Sequence, residues 1–434
     1  MGVFKKIAGL GSITLADQVV VSGVRFLTTI LIGRFCGPDE LGVFCVGFTA
    51  VVLAGSFVDC LLTKPYSVFI QRRRNENRQR YAGSTLLQLG LLAVLGCAVV
   101  AIIAFALRLN PDYEQYWSTI AIVAGIIPFV LAWEYSRRIS FAHLHMRHAF
   151  VIDAIMGVVQ LACLGLLIAT ESLNSVTAYM ALGTASATVG IVWIIRHRGE
   201  MEFVRPAWSK LHWIRNWNFG RWLLAAQVVS IAHGYSTTWM LAIFSGPEAI
   251  GLFAAAQTIV LLSNPALISI GNLMGPIFAK SYASESLGAF IRLVSRCCLG
   301  MVTGTLCFAV VVSLFREQLL NLMFGPKFFG QGNLVILLVS MIVWWGVSIV
   351  MSAGLSAINR PQSTFVGAVI GVLVTTISGV PLILQHDSMG GAVALLLGSV
   401  ATAVTHAATF WIHVRNVSIS SELRCAQVKS SSCS

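Results

Sequence analysis

Charge is what this sequence has least of. Asp, Glu, Lys and Arg make up 11% of its 434 residues while 57% are apolar, and a soluble domain carries about 25% charged residues. No polar stretch is long enough to cover even one water-facing domain, which excludes a soluble, many-domain protein. No CxxC pair and no Cys/His metal spacing appears among ten cysteines and nine histidines. Cys45, Cys60, Cys97, Cys163, Cys297, Cys298 and Cys307 lie in or at the ends of apolar runs, where a thiol behaves as a small hydrophobe. No nucleophile–base arrangement, phosphate-cradling glycine loop or ATP-binding domain is visible. The chain therefore reads as a non-enzyme with no cofactor and no metal, and any transport it performs is passive or driven by an ion gradient or membrane potential.

What it does have is hydrophobic length. A spanning helix needs roughly 20 mostly apolar residues to cross ~30 Å of hydrocarbon. Twelve such segments can be drawn, at 13–33, 41–62, 84–107, 118–136, 149–169, 177–195, 221–243, 250–275, 293–315, 334–357, 363–384 and 391–413. The fold class expected is all-α and integral to the membrane, with about twelve transmembrane helices. The first run follows Lys5 and Lys6 as a signal peptide would, but it continues through Asp17 and Arg25 to Gly33. That is too long for a cleaved leader. Gly37-Pro38, Asn110-Pro111, Gly246-Pro247 and Gly325-Pro326 fall in connections, where turn chemistry belongs. Pro128, Pro265 and Pro381 fall inside spans and are expected to kink them.

The net charge of +12 is explained by membrane topology, not nucleic acid, because Lys and Arg gather in cytoplasmic loops. With the N-terminus inside, the outer connections hold only Arg34, Arg108, Arg316 and Lys327, Arg25 lies within a span, and the inner segments hold the other 24 of the 29 basic residues. Among these are Arg72, Arg73 and Arg74, then Arg78, Arg80, Arg137 and Arg138. Both termini are therefore expected in the cytoplasm, at the cytoplasmic (plasma) membrane. The basic segment 196–220, with Trp208, Trp213 and Trp217, reads as an interfacial linker lying on anionic lipid. The Ser-rich tail 416–434 reads as polar and disordered.

The sequence also repeats itself at an offset of 209 residues. Ala16–Phe44 reads ADQVVVSGVRFLTTILIGRFCGPDELGVF and Ala225–Phe253 reads AAQVVSIAHGYSTTWMLAIFSGPEAIGLF, with 11 of 29 positions identical. Apolar composition does not readily give a GP-acidic-x-[LI]-G-x-F turn, a Gln and a Thr pair in the same register twice. The repeat sets a lobe at 1–195 against a lobe at 221–415, joined by the 196–220 linker. Each has six spans, so the two are parallel repeats around a central cleft, an arrangement typical of transporters.

The turns GPDELGVF and GPEAIGLF, the segment WEYSRRISFAHLHMRHAFVID and the segment GLSAINRPQSTF make the chain resemble the polysaccharide transporters. These belong to the multidrug/oligosaccharidyl-lipid/polysaccharide exporter superfamily, alongside the O-antigen flippases. The loop KPYSVFIQRRRNENRQR lacks the Gly-x-x-x-Asp-Arg-x-Gly-Arg-Arg-like motif of the major facilitator transporters. The resemblance spans essentially the whole chain and implies a flippase that moves a lipid-linked oligosaccharide or polysaccharide precursor by alternating access. The partners it implies are that glycan, the bilayer, a coupling ion (H+ or Na+) and glycan-assembly proteins. Two rivals stand beside it: a multidrug or organic-cation exporter of the same superfamily, and a membrane-embedded glycan polymerase or acyltransferase.

Ionisable residues inside a span cost at least ~2.5–3.5 kcal/mol on insertion scales and mark functional positions. Arg25 sits near the middle of the first span, with Asp17 eight residues earlier, about 12 Å along the helix axis. Gln18 extends that polar side, and Gln227, His233 and Tyr235 repeat it in the seventh span. These six are the candidate substrate face: Arg25 for a diphosphate, whose charge an Arg matches with a fork that cannot deprotonate, and the neutral groups for sugar hydroxyls. Two alternatives stay open, a structural Arg25–Asp17 pair and a His233 that is only packed. A second set, Asp59, Lys64, Glu134, Arg137, Arg138 and Asp153, lies near the inner ends of three spans. It reads either as a cytoplasmic gate that breaks and remakes or as static interfacial pairs. His143, His145 and His148 alternate with apolar residues, and no carboxylate or Cys completes a metal site there.

Overall fold

The computed structural model describes residues 2–70, 75–200, 202 and 206–431; the run Arg72-Arg73-Arg74 lies outside the described residues. Among the described residues the chain is helical with no strand. The helices are α1 (Gly2–Cys36), α2 (Pro38–Val58), α3 (Lys64–Ile70), α4 (Asn75–Leu109), α5 (Glu114–Ala142), α6 (Met146–Ala169) and α7 (Ser175–His197). They continue as α8 (Pro206–Phe244), α9 (Pro247–Val260), α10 (Asn264–Ser284), α11 (Leu287–Leu314), α12 (Arg316–Phe324), α13 (Gly332–Ala357) and α14 (Pro361–Ser431).

Local sequence explains the boundaries. Pro38 opens α2 behind Gly37, whose φ of 104° suits a residue without Cβ, and Gly246 (φ 89°) stands the same way before Pro247. Proline is pre-set for a first helical position and glycine for the turn before it. Asp39 and Glu40 follow in the first turn of α2, and Glu248 in that of α9, where carboxylates meet the positive end of the helix dipole. At α7 the Asn174 side chain accepts from the Thr177 amide and the Thr177 hydroxyl accepts from the Asn174 amide, a reciprocal capping box.

Ten helical stretches among the described residues are long and apolar enough to cross a membrane. One is the 55-residue run Gln362–Asn416, broken at Asp387 (φ 48°, ψ −125°). Gly371 there faces Thr402, Gly398 faces Thr375 and Gly379 faces Ala394, the register of an antiparallel helical hairpin that closes at Asp387. That run is therefore two passes. Helix α8 is long enough to span, but Arg221, Gln227, Ser230, His233, Tyr235 and Ser236 lower its apolar content. With α8 and the hairpin counted, the architecture fits the twelve expected passes.

One expectation needs correcting, that of a disordered tail, and two others gain detail. The expected linker 196–220 is helical from Pro206, where it forms the first part of α8. Buried Asn216 accepts from the Tyr81 hydroxyl at 2.7 Å and donates to Gln88 at 3.1 Å, so polar contacts to α4 hold it in the protein. The tail is helical through Ser431 rather than disordered, since Glu422, Leu423, Arg424, Ala426 and Gln427 are good helix formers. The three prolines lie inside spanning stretches as expected: Pro128 within α5, Pro381 within α14, and Pro265 at the start of α10 after the 3₁₀ turn Leu261–Ser263.

The chain divides into two compact units. The first is Met1–Ile231 with Gly246–Gly251, and the second is Ala232–Ser245 with Leu252–Ser434. In the first, α5 is the enclosed helix, packed on by α2, α4, α6 and α7, and small residues allow the approach. Gly183 lies against Ile126, Gly190 against Ala132, and Gly47 beneath the Tyr179 ring, whose hydroxyl donates to the Phe44 carbonyl at 2.6 Å. In the second, α13 packs between α11 and α14, with Gly346 against Met301 and Gly354 against Phe410. Val94, Val99, Ile102, Phe105 and Leu109 of α4 are exposed, a wall suited to hydrocarbon.

The repeat has a geometric counterpart within the first unit. A Cβ on Gly42 would overlap the Pro247 carbonyl oxygen, and one on Gly251 would overlap the Pro38 carbonyl oxygen. These residues are equivalent under the 209-residue offset, so the two turns meet through like contacts in both directions. That accounts for three of the repeat's identities: two glycines before proline, the two prolines, and two glycines at a close approach.

Candidate functional site

The polar residues of the first unit converge from four elements. Helix α5 presents Trp133, Glu134, Arg137 and Arg138, spaced so that 133/137 and 134/138 stack one turn apart. Helix α1 contributes Asp17 and α6 contributes Asp153. The π-helical stretch Asp59–Thr63 between α2 and α3 contributes Asp59, beside Lys64.

Arg137 is the hub. Its Nε donates to Asp153 Oδ2 and its Nη2 donates to Asp17 Oδ2 at 3.1 Å. Trp133 Nε1 donates to the other Asp153 oxygen at 2.9 Å. The side chains of Arg137, Asp17 and Asp153 are 8%, 1% and 0% exposed. One guanidinium thus holds two buried carboxylates and ties α1, α5 and α6 together. A fork with five donors suits this task, and a lysine ammonium lacks its planar geometry.

A second, half-exposed network lies beside it. Lys64 Nζ meets Asp59 at 2.9 Å, Arg138 Nε lies 3.7 Å from Asp59 and 3.5 Å from Glu134, and Thr63 donates to Asp59 at 2.7 Å. The six gate candidates therefore separate. Asp59, Lys64, Glu134 and Arg138 form one network, while Arg137 and Asp153 join Asp17 in the other.

The open Arg25–Asp17 alternative is not what the structure contains. Asp17 turns to Arg137, and Arg25 makes no ion pair among the described residues. Arg25 is exposed on α1, with its guanidinium 4.6 Å from the centre of the Phe48 ring. Gln18, also exposed, donates to Ser22 at 3.3 Å, and Gln227 lies 3.5 Å from the Ser56 hydroxyl. Asp17 is therefore a buried anchor and not part of an open polar face. In the second unit His233 is half-buried with Nδ1 unpartnered, and Tyr235 is half-buried and engaged.

Sequence reading missed two participants. Trp133 looked like one more apolar residue; its signal was the i, i+4 spacing to Arg137. His406 in the second unit is buried, with Nδ1 2.8 Å from the Ser348 hydroxyl and Nε2 3.0 Å from the Thr364 carbonyl. A lone histidine in an otherwise apolar span was the available sign. No group of three or more His, Cys, Asp or Glu is placed to hold a metal among the described residues.

Residues 8–282 match the family model described as polysaccharide biosynthesis protein. The chain belongs to that family. A similar curated protein is the probable low-salt glycan biosynthesis flippase Agl15 of Haloferax volcanii, 19% identical over 396 residues, covering 89% of this chain and 79% of that one. Among solved structures, an inward-facing multidrug resistance MATE family transporter of the MOP superfamily superposes with a TM-score of 0.76 at 12% identity, covering 92% of this chain and 95% of that one. The lipid II flippase MurJ in an inward closed conformation gives 0.70 at 13% identity, over 92% and 86%. At such identities the likeness to these solved structures is one of fold.

Proposed function

We propose that this chain is a flippase that carries a lipid-linked oligosaccharide or polysaccharide precursor across the cytoplasmic membrane by alternating access. Family membership and the similarity to a glycan biosynthesis flippase support the substrate class. The observation that carries the reading to particular residues is the separation of Arg25 from Asp17. With Asp17 held by Arg137, Arg25 is a membrane-embedded cation with no ion pair among the described residues. An uncompensated guanidinium within a span is costly, and a lipid diphosphate supplies the missing charge with matching bidentate geometry. Gln18 and Gln227, in the same unit as Arg25, serve the sugar hydroxyls.

The same geometry argues against an organic-cation exporter. Asp17 and Asp153, two acids a cation would need, are 1% and 0% exposed and already share Arg137. In this reading both termini are cytoplasmic, the half-exposed Asp59–Lys64–Glu134–Arg138 network is the inner gate, and an H+ or Na+ gradient drives turnover. Glycan-assembly proteins supply the substrate and receive it.

The test is a strain lacking this chain. Its lipid-linked glycan intermediates should accumulate on the cytoplasmic leaflet and disappear when the gene is restored. An unchanged lipid-linked pool together with normal surface glycan would contradict the assignment.

A further inference from the structure

The histidines that the transport reading leaves unused line a cavity of their own. Around the start of α4, the ends of α5 and α7 and the start of α6, in the first unit, lies a cavity of about 380 Å³ lined by four histidines and Arg78. His143 Nε2 is 3.0 Å from the Tyr66 hydroxyl. His197 Nδ1 is 3.0 Å from the Trp193 carbonyl; a carbonyl only accepts, so Nδ1 carries the proton, and Nε2 donates to an anion only when the ring is an imidazolium. The His143 and His145 rings lie 6.1 Å apart, and those of His145 and His148 5.4 Å apart.

The backbone is arranged to gather them. Leu144, between His143 and His145, has φ 60°, a left-handed conformation that a non-glycine residue adopts at a cost of about 1–3 kcal/mol. The turn is closed by the His145 amide on the Ser140 carbonyl at 2.9 Å and the Leu144 amide on Phe141 at 3.0 Å. This turn ends α5 without a glycine and puts His143 and His145 on one cavity.

The chemistry of the lining selects the ligand. None of the described residues lining the cavity is acidic. Arg147, between His145 and His148, adds a further positive charge on the same element. Glu202, whose amide bonds the Gln79 carbonyl at 3.2 Å, has its carboxylate held by Arg80 at 3.1 Å. Among the described lining residues a cation would find no carboxylate, and no metal-holding group exists among the described residues. Ring N–H donors around an arginine match phosphoryl oxygens.

We propose that this cavity is a phosphoryl-binding site, separate from Arg25, that takes a phosphate or diphosphate group from either a soluble anion or a lipid headgroup. It stands independently of the transport reading, because binding is measured without transport.

The probes are inorganic pyrophosphate, titrated calorimetrically into the purified chain in phosphatidylcholine nanodiscs, and phosphatidic acid, measured as enrichment around the chain in mixed nanodiscs. His145→Gln/His148→Gln is the test variant; both side chains are exposed, and an unchanged melting temperature verifies the fold. The wild type should bind at least one probe, and the double variant, which removes two ring contacts, should weaken that binding by about tenfold or more. Arg25→Ala should leave it intact. Pyrophosphate binding in neutral nanodiscs identifies a soluble anion; phosphatidic acid enrichment alone identifies a headgroup. Wild-type protein that binds neither, a double variant that binds as well as wild type, or binding lost with Arg25→Ala overturns the proposal.

Discussion

Arg137 and Asp153 stand 16 residues apart in sequence, yet the guanidinium Nε of one meets a carboxylate oxygen of the other in the buried interior of the first unit. Asp17, 120 residues away, takes the Nη2 of the same group. Removing the cation leaves two carboxylates stranded. Breaking a buried pair from one side costs about 3–5 kcal/mol, so Arg137→Met should cut abundance in the membrane sharply and lower the melting temperature. Adding Asp17→Asn and Asp153→Asn should recover much of the loss. A single variant that melts like wild type would remove this triad as a structural anchor.

The neighbouring network behaves differently because water reaches it. Lys64, Asp59, Arg138 and Glu134 side chains are 43%, 19%, 43% and 27% exposed, and exposed pairs are worth about 0–1 kcal/mol. Asp59→Asn and Arg138→Glu should change protein level little while impairing glycan export. The reversal Glu134→Arg/Arg138→Glu should restore part of it. Export that stays at wild-type level in every single variant would reduce this network to a static surface feature.

The reciprocal turn contacts yield a packing prediction. Alanine at Gly42 or Gly251 drives a methyl into a proline carbonyl of the opposing turn, and neither backbone can yield without moving its helix. Each variant should lose stability by about 1–3 kcal/mol, as overpacked sites do. Gly23→Ala, with nothing near its added Cβ, should be neutral. Equal melting temperatures for all three would show that the turns have more room than the structure allows.

Orientation is tested by reporter fusions. With inner segments carrying 24 basic residues and outer connections four, fusions after Gln79 and after Glu114 should report opposite compartments, the first of them cytoplasmic. The same compartment at both sites would undo the topology.

The spans and the repeat were legible because both are written in one dimension. Apolar length sets the passes, and the Gly-Pro turns mark where they end. The partner of Asp17 was not legible. Helical spacing put Arg25 on the same side of α1, but about 12 Å along the axis, beyond reach of a short carboxylate. The true partner comes from another helix, and no periodicity within α1 reveals it. Likewise the hydrogen bonds of Asn216, in the basic, Trp-bearing stretch before the seventh span, were not legible, because their partners, Tyr81 and Gln88, lie on α4.

The central claim is that Arg25 meets the substrate's diphosphate, and the most direct measurement is glycan export and membrane abundance recorded together for Arg25→Ala, Arg25→Lys and Arg25→Glu. Because Arg25 is exposed and supports no ion pair among the described residues, all three variants should reach near-normal abundance. Arg25→Ala should lower export about tenfold or more, as loss of one charge-assisted contact implies. Arg25→Lys should retain part of the activity, keeping the charge without the fork, and Arg25→Glu should fall below Ala by placing like charge against the phosphates. Wild-type export from Arg25→Ala, or an export loss that only tracks a loss of protein, would contradict the claim.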